Sequence, residues 1–208
     1  MKRPGRAAAG SSSPAHEVRI VGGRWKRSKL RVRDSPGLRP TPQRVREQLF
    51  NWLGQDLTGW RCLDAFAGSG ALGFEAGSRG AAEVVLLERE PALIATLQGA
   101  RSRLAAENLR IERVDALAWM KQTEPQSFDL VLLDPPFDAP WRGQAVAAAA
   151  ALVRVGGYLY VEAPQALSSL PDSFELWRSD RAGAVYVHLL RRSQGALGSA
   201  KAHIATAM

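Results

Sequence analysis

The chain of 208 residues has a single cysteine, Cys62, and only three histidines, His16, His188 and His203, which lie far apart. One cysteine excludes an internal disulfide framework and suits a reducing compartment. Histidines so scattered have no ligand-like spacing, so no metal is expected. Long apolar runs are missing as well. The longest, Ala145 to Val153, is mostly alanine and is closed off by Arg142 and Arg154, so it reads as a helix interior and not as a membrane span. The N-terminus is basic but lacks the apolar segment of a secretory signal. A cytoplasmic protein with no membrane partner is expected.

Positive charge is abundant, and it is unevenly placed. Residues 1–46 hold 13 Lys and Arg against two acids, Glu17 and Asp34, a net of +11. The remaining 162 residues hold 15 against 18, a net of −3, within a total of +8. The basicity therefore belongs to an N-terminal arm. Such an arm neutralises phosphates and releases their counterions, the sequence-independent part of nucleic-acid binding. Its arginines alternate with Trp25, glycines and prolines, which speaks against an amphipathic membrane helix.

Residues 1–17, rich in Gly, Ala, Ser and Pro at their start, read as a disordered basic tail. An extension over 18–56 follows. In it, Val18–Val21 and Lys29–Arg33 suggest a hairpin around Gly22-Gly23-Arg24-Trp25, and Asp34–Pro40 a loop. Thr41 is placed to cap a helix that has Pro42 at its first position and runs to about Leu53. Over 57–192, apolar runs at Cys62–Phe66, Val84–Leu87, Ile111–Val114, Phe128–Leu133 and Tyr158–Val161 alternate with helical segments near 71–79, 91–106, 116–122 and 141–153. That alternation predicts a doubly wound, mostly parallel sheet. Phe174–Arg178 and Ala184–Leu190 have no helix between them and must pair antiparallel. Seven strands ending in such a hairpin are the layout of the Rossmann-like class I methyltransferases. Residues 193–208 read as a second unstructured tail.

The segment Asp64-Ala65-Phe66-Ala67-Gly68-Ser69-Gly70-Ala71-Leu72-Gly73 follows the first sheet strand and opens a helix. Its small residues allow a tight turn and close approach of a ligand to the backbone. An NAD site is the rival reading, and three acids decide against it. At a strand end, Asp64 would repel a pyrophosphate but favours the cationic amine of a methionine moiety. Glu88 closes the second strand and can accept hydrogen bonds from both ribose hydroxyls. Asp115 closes the third and can accept from an adenine amine, with the Ala116 backbone against the ring. The expected cofactor is S-adenosylmethionine, held by Asp64, Phe66, Ala67, Gly68, Ser69, Gly70, Glu88, Asp115 and Ala116.

A fourth strand, Phe128–Leu133, stops at Asp134-Pro135-Pro136-Phe137. Paired prolines neither extend a sheet ladder nor start a helix easily, so they hold a rigid turn. An exocyclic base amine is a poor nucleophile because its lone pair is delocalised into the ring. The Asp134 carboxylate and the Pro135 carbonyl can take its two hydrogens and stabilise the positive charge that develops during attack. Phe137 can stack on a base drawn out of its own stack. Methylation of a pyrimidine carbon would need a cysteine nucleophile, and Cys62 lies inside a strand, where a buried thiol is inert.

The chain resembles the RsmD-type methyltransferases, which modify guanine N2 in bacterial 16S ribosomal RNA. The resemblance rests on Arg19-Ile-Val-Gly-Gly-Arg-Trp25, Ser35-Pro-Gly-Leu-Arg39-Pro40-Thr41, Arg44-Val-Arg46-Glu47 and Leu49-Phe50-Asn51-Trp52-Leu53, with the glycine loop and Asp-Pro-Pro-Phe behind them. It implies a guanine of the position 966 type in the small subunit or its assembly intermediate. The expected RNA contacts are Arg24, Trp25, Lys26, Arg27, Lys29, Arg31, Arg39, Thr41, Arg44 and Arg46, in a protein that acts as a monomer. The glycine loop and Asp-Pro-Pro-Phe alone would also suit a DNA amino-methyltransferase, and a ribosome-assembly factor without catalysis is a reading from another class.

Overall fold

Within the sheet strands, apolar residues at odd and even positions belong to two different cores, and that period of two builds the molecule. Cys62, Val84, Leu86, Leu130, Leu132 and Tyr160 join one buried cluster; Leu63, Val85, Leu87, Val131, Leu133 and Val161 join another. Strands buried on both faces need helices on both sides. A computed structural model describes residues 16–32, 41–136 and 139–194. Residues 1–15 and 195–208 of the expected tails, the loop 34–40 with Arg39, and Phe137 lie outside the described residues; His16 and Glu17, counted with the disordered tail, instead belong to a strand that pairs them with Val32 and Arg31.

In chain order the elements are β1 (His16–Arg19), β2 (Lys29–Val32), α1 (Gln43–Trp52), β3 (Arg61–Asp64), α2 (Ala71–Ser78), β4 (Glu83–Glu88), α3 (Pro91–Arg103), β5 (Leu109–Arg113), α4 (Ala116–Gln122), β6 (Phe128–Leu133), α5 (Arg142–Leu152), β7 (Val153–Ala163), β8 (Phe174–Ala182) and β9 (Val185–Arg192). The sheet order is β5-β4-β3-β6-β7-β9-β8, parallel through β7, with β9 antiparallel to both β7 and β8. This is the expected Rossmann-like class I methyltransferase fold. Connections from β3 lead outward on one side and those from β6 on the other, so the crevice between the ends of β3 and β6 is the switch point where such sheets bind ligands.

The hairpin and α1 lie on one face with α2 and α3, where Ile20, Trp25, Leu30, Val45, Leu49 and Phe50 join the first core. The other face carries α4 and α5. Hairpin and core meet closely: the backbone N–H of Arg24 donates to the carbonyl of Ser78 (2.8 Å), and that of Trp25 to the Ser78 hydroxyl (2.9 Å). A side chain at Gly23 (φ +72°) would collide with the Ser78 carbonyl, which fixes glycine there.

Two local expectations are corrected. Thr41 does not cap α1: Pro42 is the N-cap and no side chain bonds there, because the Thr41 hydroxyl is taken up by Glu162. The strand expected at Tyr158–Val161 begins at Val153, straight out of α5, and reaches Ala163. Gly156 and Gly157 hid its first half from a reading based on side-chain alternation.

Candidate active site

The acids that close successive strands meet at one end of the sheet. Leu63, Leu133 and Val161 point into the α4–α5 core, so Asp64, Asp134 and Glu162, each one residue on, share the opposite face on the neighbouring strands β3, β6 and β7.

After Asp64 the chain passes through Phe66, Ala67, Gly68 and Ser69 to Gly70, the N-cap of α2. The loop is tied on both flanks, since Ala65 N–H donates to the Leu132 carbonyl and Ala67 N–H to that of Leu87, both at 3.0 Å. Gly70 has φ +77°, and a Cβ there would strike Leu97 and Phe74. Phe66 stacks on Trp141 with ring centroids 5.6 Å apart. Asp64 is buried and accepts a hydrogen bond from Gly73 N–H (2.9 Å). Burial pushes its carboxyl up to about 7, opposed by that bond and aided by the charges of Glu88 and Glu162.

Glu88 accepts from the N–H groups of Gly68 (3.0 Å), Arg89 (2.8 Å) and Glu90 (2.9 Å), which anchors it against the loop. Asp115 accepts from Ala118 N–H (2.8 Å) as the N-cap of α4, where Ala116 is the first helical residue. These side chains are acceptors spread over the ends of β3, β4 and β5. S-adenosylmethionine offers an ammonium, a ribose diol and an adenine amine, all donors, so the set fits it.

Beyond β6, the turn Asp134-Pro135-Pro136 is clamped by Arg142 from the start of α5. Its guanidinium donates to the carbonyls of Pro135 (3.3 Å), Pro136 (2.8 Å) and Glu162 (3.0 Å). The Pro135 carbonyl thus shares one lone pair with the clamp and keeps another. Asp134 has a partly exposed edge. Its removal from water, with Glu162 and Asp64 adding repulsion, holds its carboxyl well above the usual range against the pull of Arg142. Cys62 is fully buried, and burial pushes its thiol up, so it is no nucleophile.

Glu162, absent from the expected site, is 4% exposed. Its Oε1 accepts from the hydroxyls of Thr41 and Tyr160, both at 2.9 Å. Burial raises its pKa and the two hydroxyls draw it back. The sequence did carry a signal: like Asp64, Glu88 and Asp134, Glu162 is an acid at the end of a buried strand.

The expected RNA contacts divide. Arg24, Lys26, Arg27, Lys29, Arg31 and Arg44 are exposed. Three others are not, and the expectation is corrected for them. Trp25 is buried against Phe74, with ring centroids 6.2 Å apart. Thr41 is buried on Glu162. Arg46 is 2% exposed and ion-paired to Glu75 at 3.2 Å. The exposed basic turn sits at the Ser78 end of α2, a helix length or about 12 Å from the Gly70 loop. Beside it opens a cavity of about 480 Å³ between Gly22, Lys26, Asn51 and Arg79.

Comparison with known proteins gives a consistent result. The family described as Conserved hypothetical protein 95 matches residues 18–191. The ribosomal RNA small subunit methyltransferase D of Escherichia coli (strain K12) is 38% identical over 200 residues, 92% of this chain and 96% of that protein. Among solved structures, the yhhF protein of Escherichia coli superposes with a TM-score of 0.77 at 35% identity, over 86% of this chain and 99% of the other. A Burkholderia thailandensis N1-methyltransferase holding S-adenosylhomocysteine shares the fold at TM-score 0.56 and 16% identity, over 73% of this chain and 78% of that one.

Proposed function

The chain belongs to the Conserved hypothetical protein 95 family, and from that premise we propose that it methylates the exocyclic N2 of a guanine in 16S ribosomal RNA, using S-adenosylmethionine. The observation that carries the reading is the Asp134-Pro135 turn, which Arg142 clamps at the switch point between two other strand-end carboxylates. When bound, S-adenosylmethionine supplies a methyl group on a positively charged sulfur. Asp64 holds the methionine ammonium, Glu88 the ribose hydroxyls and Asp115 with Ala116 the adenine, while Gly68 and Gly70 let the backbone approach. The Asp134 carboxylate and the Pro135 carbonyl accept the two amine hydrogens and orient the nitrogen lone pair for in-line attack. Phe137 stacks on the extruded base.

Arg24, Lys26, Arg27, Lys29, Arg31, Arg39 and Arg44 contact phosphates. Because the basic turn lies a helix length from the transfer site, the RNA must span the hairpin face to reach both, as a folded substrate does. We place the protein in the cytoplasm, acting as a monomer on the small subunit or its assembly intermediate; among the described residues no helix is long and apolar enough to cross a membrane. The test is to incubate purified small subunits from cells lacking the protein with labelled S-adenosylmethionine and to digest the RNA to nucleosides. The label is expected in N2-methylguanosine alone. Label in methyladenosine or methylcytidine would overturn the proposal.

A further inference from the structure

Glu162 has a feature that its structural role leaves unused. Both hydroxyl donors, Thr41 and Tyr160, go to Oε1. Among the described residues Oε2 receives no hydrogen bond, and the residue keeps a small exposed edge. The residue is held at three points: its carboxylate by Thr41 ahead of α1 and by Tyr160 two residues back, and its backbone carbonyl by Arg142. The same guanidinium grips Pro135 and Pro136, which locks Glu162 and the Asp134 turn into one unit. Leu133 pairs with Val161, so Asp134 and Glu162 occupy adjacent strand ends on one face, about 4.8 Å apart in backbone.

The edge of a guanine carries donors at N1 and N2 side by side, whereas adenine and 2-aminopurine present a bare lone pair at N1. An anionic acceptor beside Asp134, fixed in place before substrate arrives, is complementary to the first pattern and opposed to the second. We propose that Glu162 is a specificity-determining residue: its Oε2 accepts the N1–H of guanine while Asp134 and the Pro135 carbonyl take the hydrogens on N2. This rests on the guanine-N2 reading above and adds how guanine is told from other amino bases. It also gives Thr41 a task. The hydroxyl expected to touch RNA instead fixes the oxygen pair that reads the base.

The experiment compares small subunits reconstituted around 16S rRNA that carries either guanine or 2-aminopurine at the methylated position. 2-Aminopurine keeps the reacting amine and lacks the N1–H. The wild-type protein is expected to prefer guanine by about 100-fold or more in kcat/KM, as sites built around a substrate N–H do. Glu162→Gln and Glu162→Ala should each shrink that preference at least tenfold, by slowing guanine more than 2-aminopurine. Thermal melts and S-adenosylmethionine titrations confirm that each variant is folded. Three results would overturn the inference: a wild-type protein indifferent to the two bases, folded variants with the wild-type preference, or folded variants dead on both. A wild-type protein that leaves no N2-methylguanine on guanine-bearing subunits would instead sink the proposed function itself.

Discussion

Two buried carboxylate centres lie on the same face of the sheet, and they are built on opposite principles. Glu75 on α2 is fully buried and saturated. It accepts from Val21 and Gly22 N–H at 2.8 Å, from Arg46 at 3.2 Å and from Arg79 at 2.9 and 3.1 Å. Two cations and two amides answer one anion, and the result joins hairpin, α1 and α2. At the strand ends the balance is reversed. Asp64, Asp134 and Glu162 crowd together, their donors are mostly neutral, and each is pushed upward in pKa. The first centre spends its charge on internal pairing and has nothing to offer a ligand. The second is left short of positive charge, which a cationic cofactor supplies and which develops on a base amine as it attacks.

The sharpest way to break that comparison is to remove one acid from each centre. Asp134→Ala should lower kcat by about 10³-fold while the dissociation constant of S-adenosylmethionine changes by less than threefold, because the lost interaction is with the developing charge on nitrogen. Folding should be unharmed or improved, since an underpaired carboxylate largely withdrawn from water is a stability cost tolerated for function. Glu75→Ala should do the opposite. It strands two buried guanidiniums and should cost about 3–5 kcal/mol in urea unfolding, with near-normal turnover per folded molecule at low temperature. If Glu75→Ala impaired turnover without loss of stability, or Asp134→Ala unfolded the chain, the division into a structural and a chemical centre would be wrong.

The sequence made the second centre far more legible than the first. Strand-end acids and a glycine loop are local signals: Asp64, Glu88, Asp115 and Asp134 each end or follow a recognisable apolar run, and the fold places those ends together. Charge count carries no such direction. It credited Arg46 to the RNA surface along with Arg44, yet Arg46 lies three and four residues from the buried Leu49 and Phe50, on the inward face of α1. Arg44 lies off that face and is exposed. The partner that draws Arg46 inward, Glu75, is 29 residues away and sits in an apolar helix where an acid has no local rationale. Trp25 and Thr41 were misjudged for the same reason, because the groups that bury them, Phe74 and Glu162, are distant in sequence. Glu162 itself was missed by one position, since the apolar run was ended at Val161.

The smallest expected effect distinguishes the centres by pH. Asp64 titrates at about 7 in the folded chain, against about 3.9 when unfolded. A carboxyl raised on folding stabilises the fold fully below its unfolded value, and that contribution is lost as pH rises toward 7. The cofactor-free protein should therefore become easier to unfold between pH 4 and 7 through this group. Binding runs the other way. The ammonium of S-adenosylmethionine needs the ionised carboxylate, so its dissociation constant should be level just above pH 7 and rise about tenfold for each unit below. Calorimetry at pH 7.5, 6.5 and 5.5 measures this directly, and proton release on binding, read from buffers of different ionisation enthalpy, should be largest near pH 6. Asp64→Asn should flatten the profile at the weak-binding level. A wild-type profile already flat across that range would mean that Asp64 is not what holds the ammonium, and the cofactor's methionine end would have to be placed elsewhere along the strand ends.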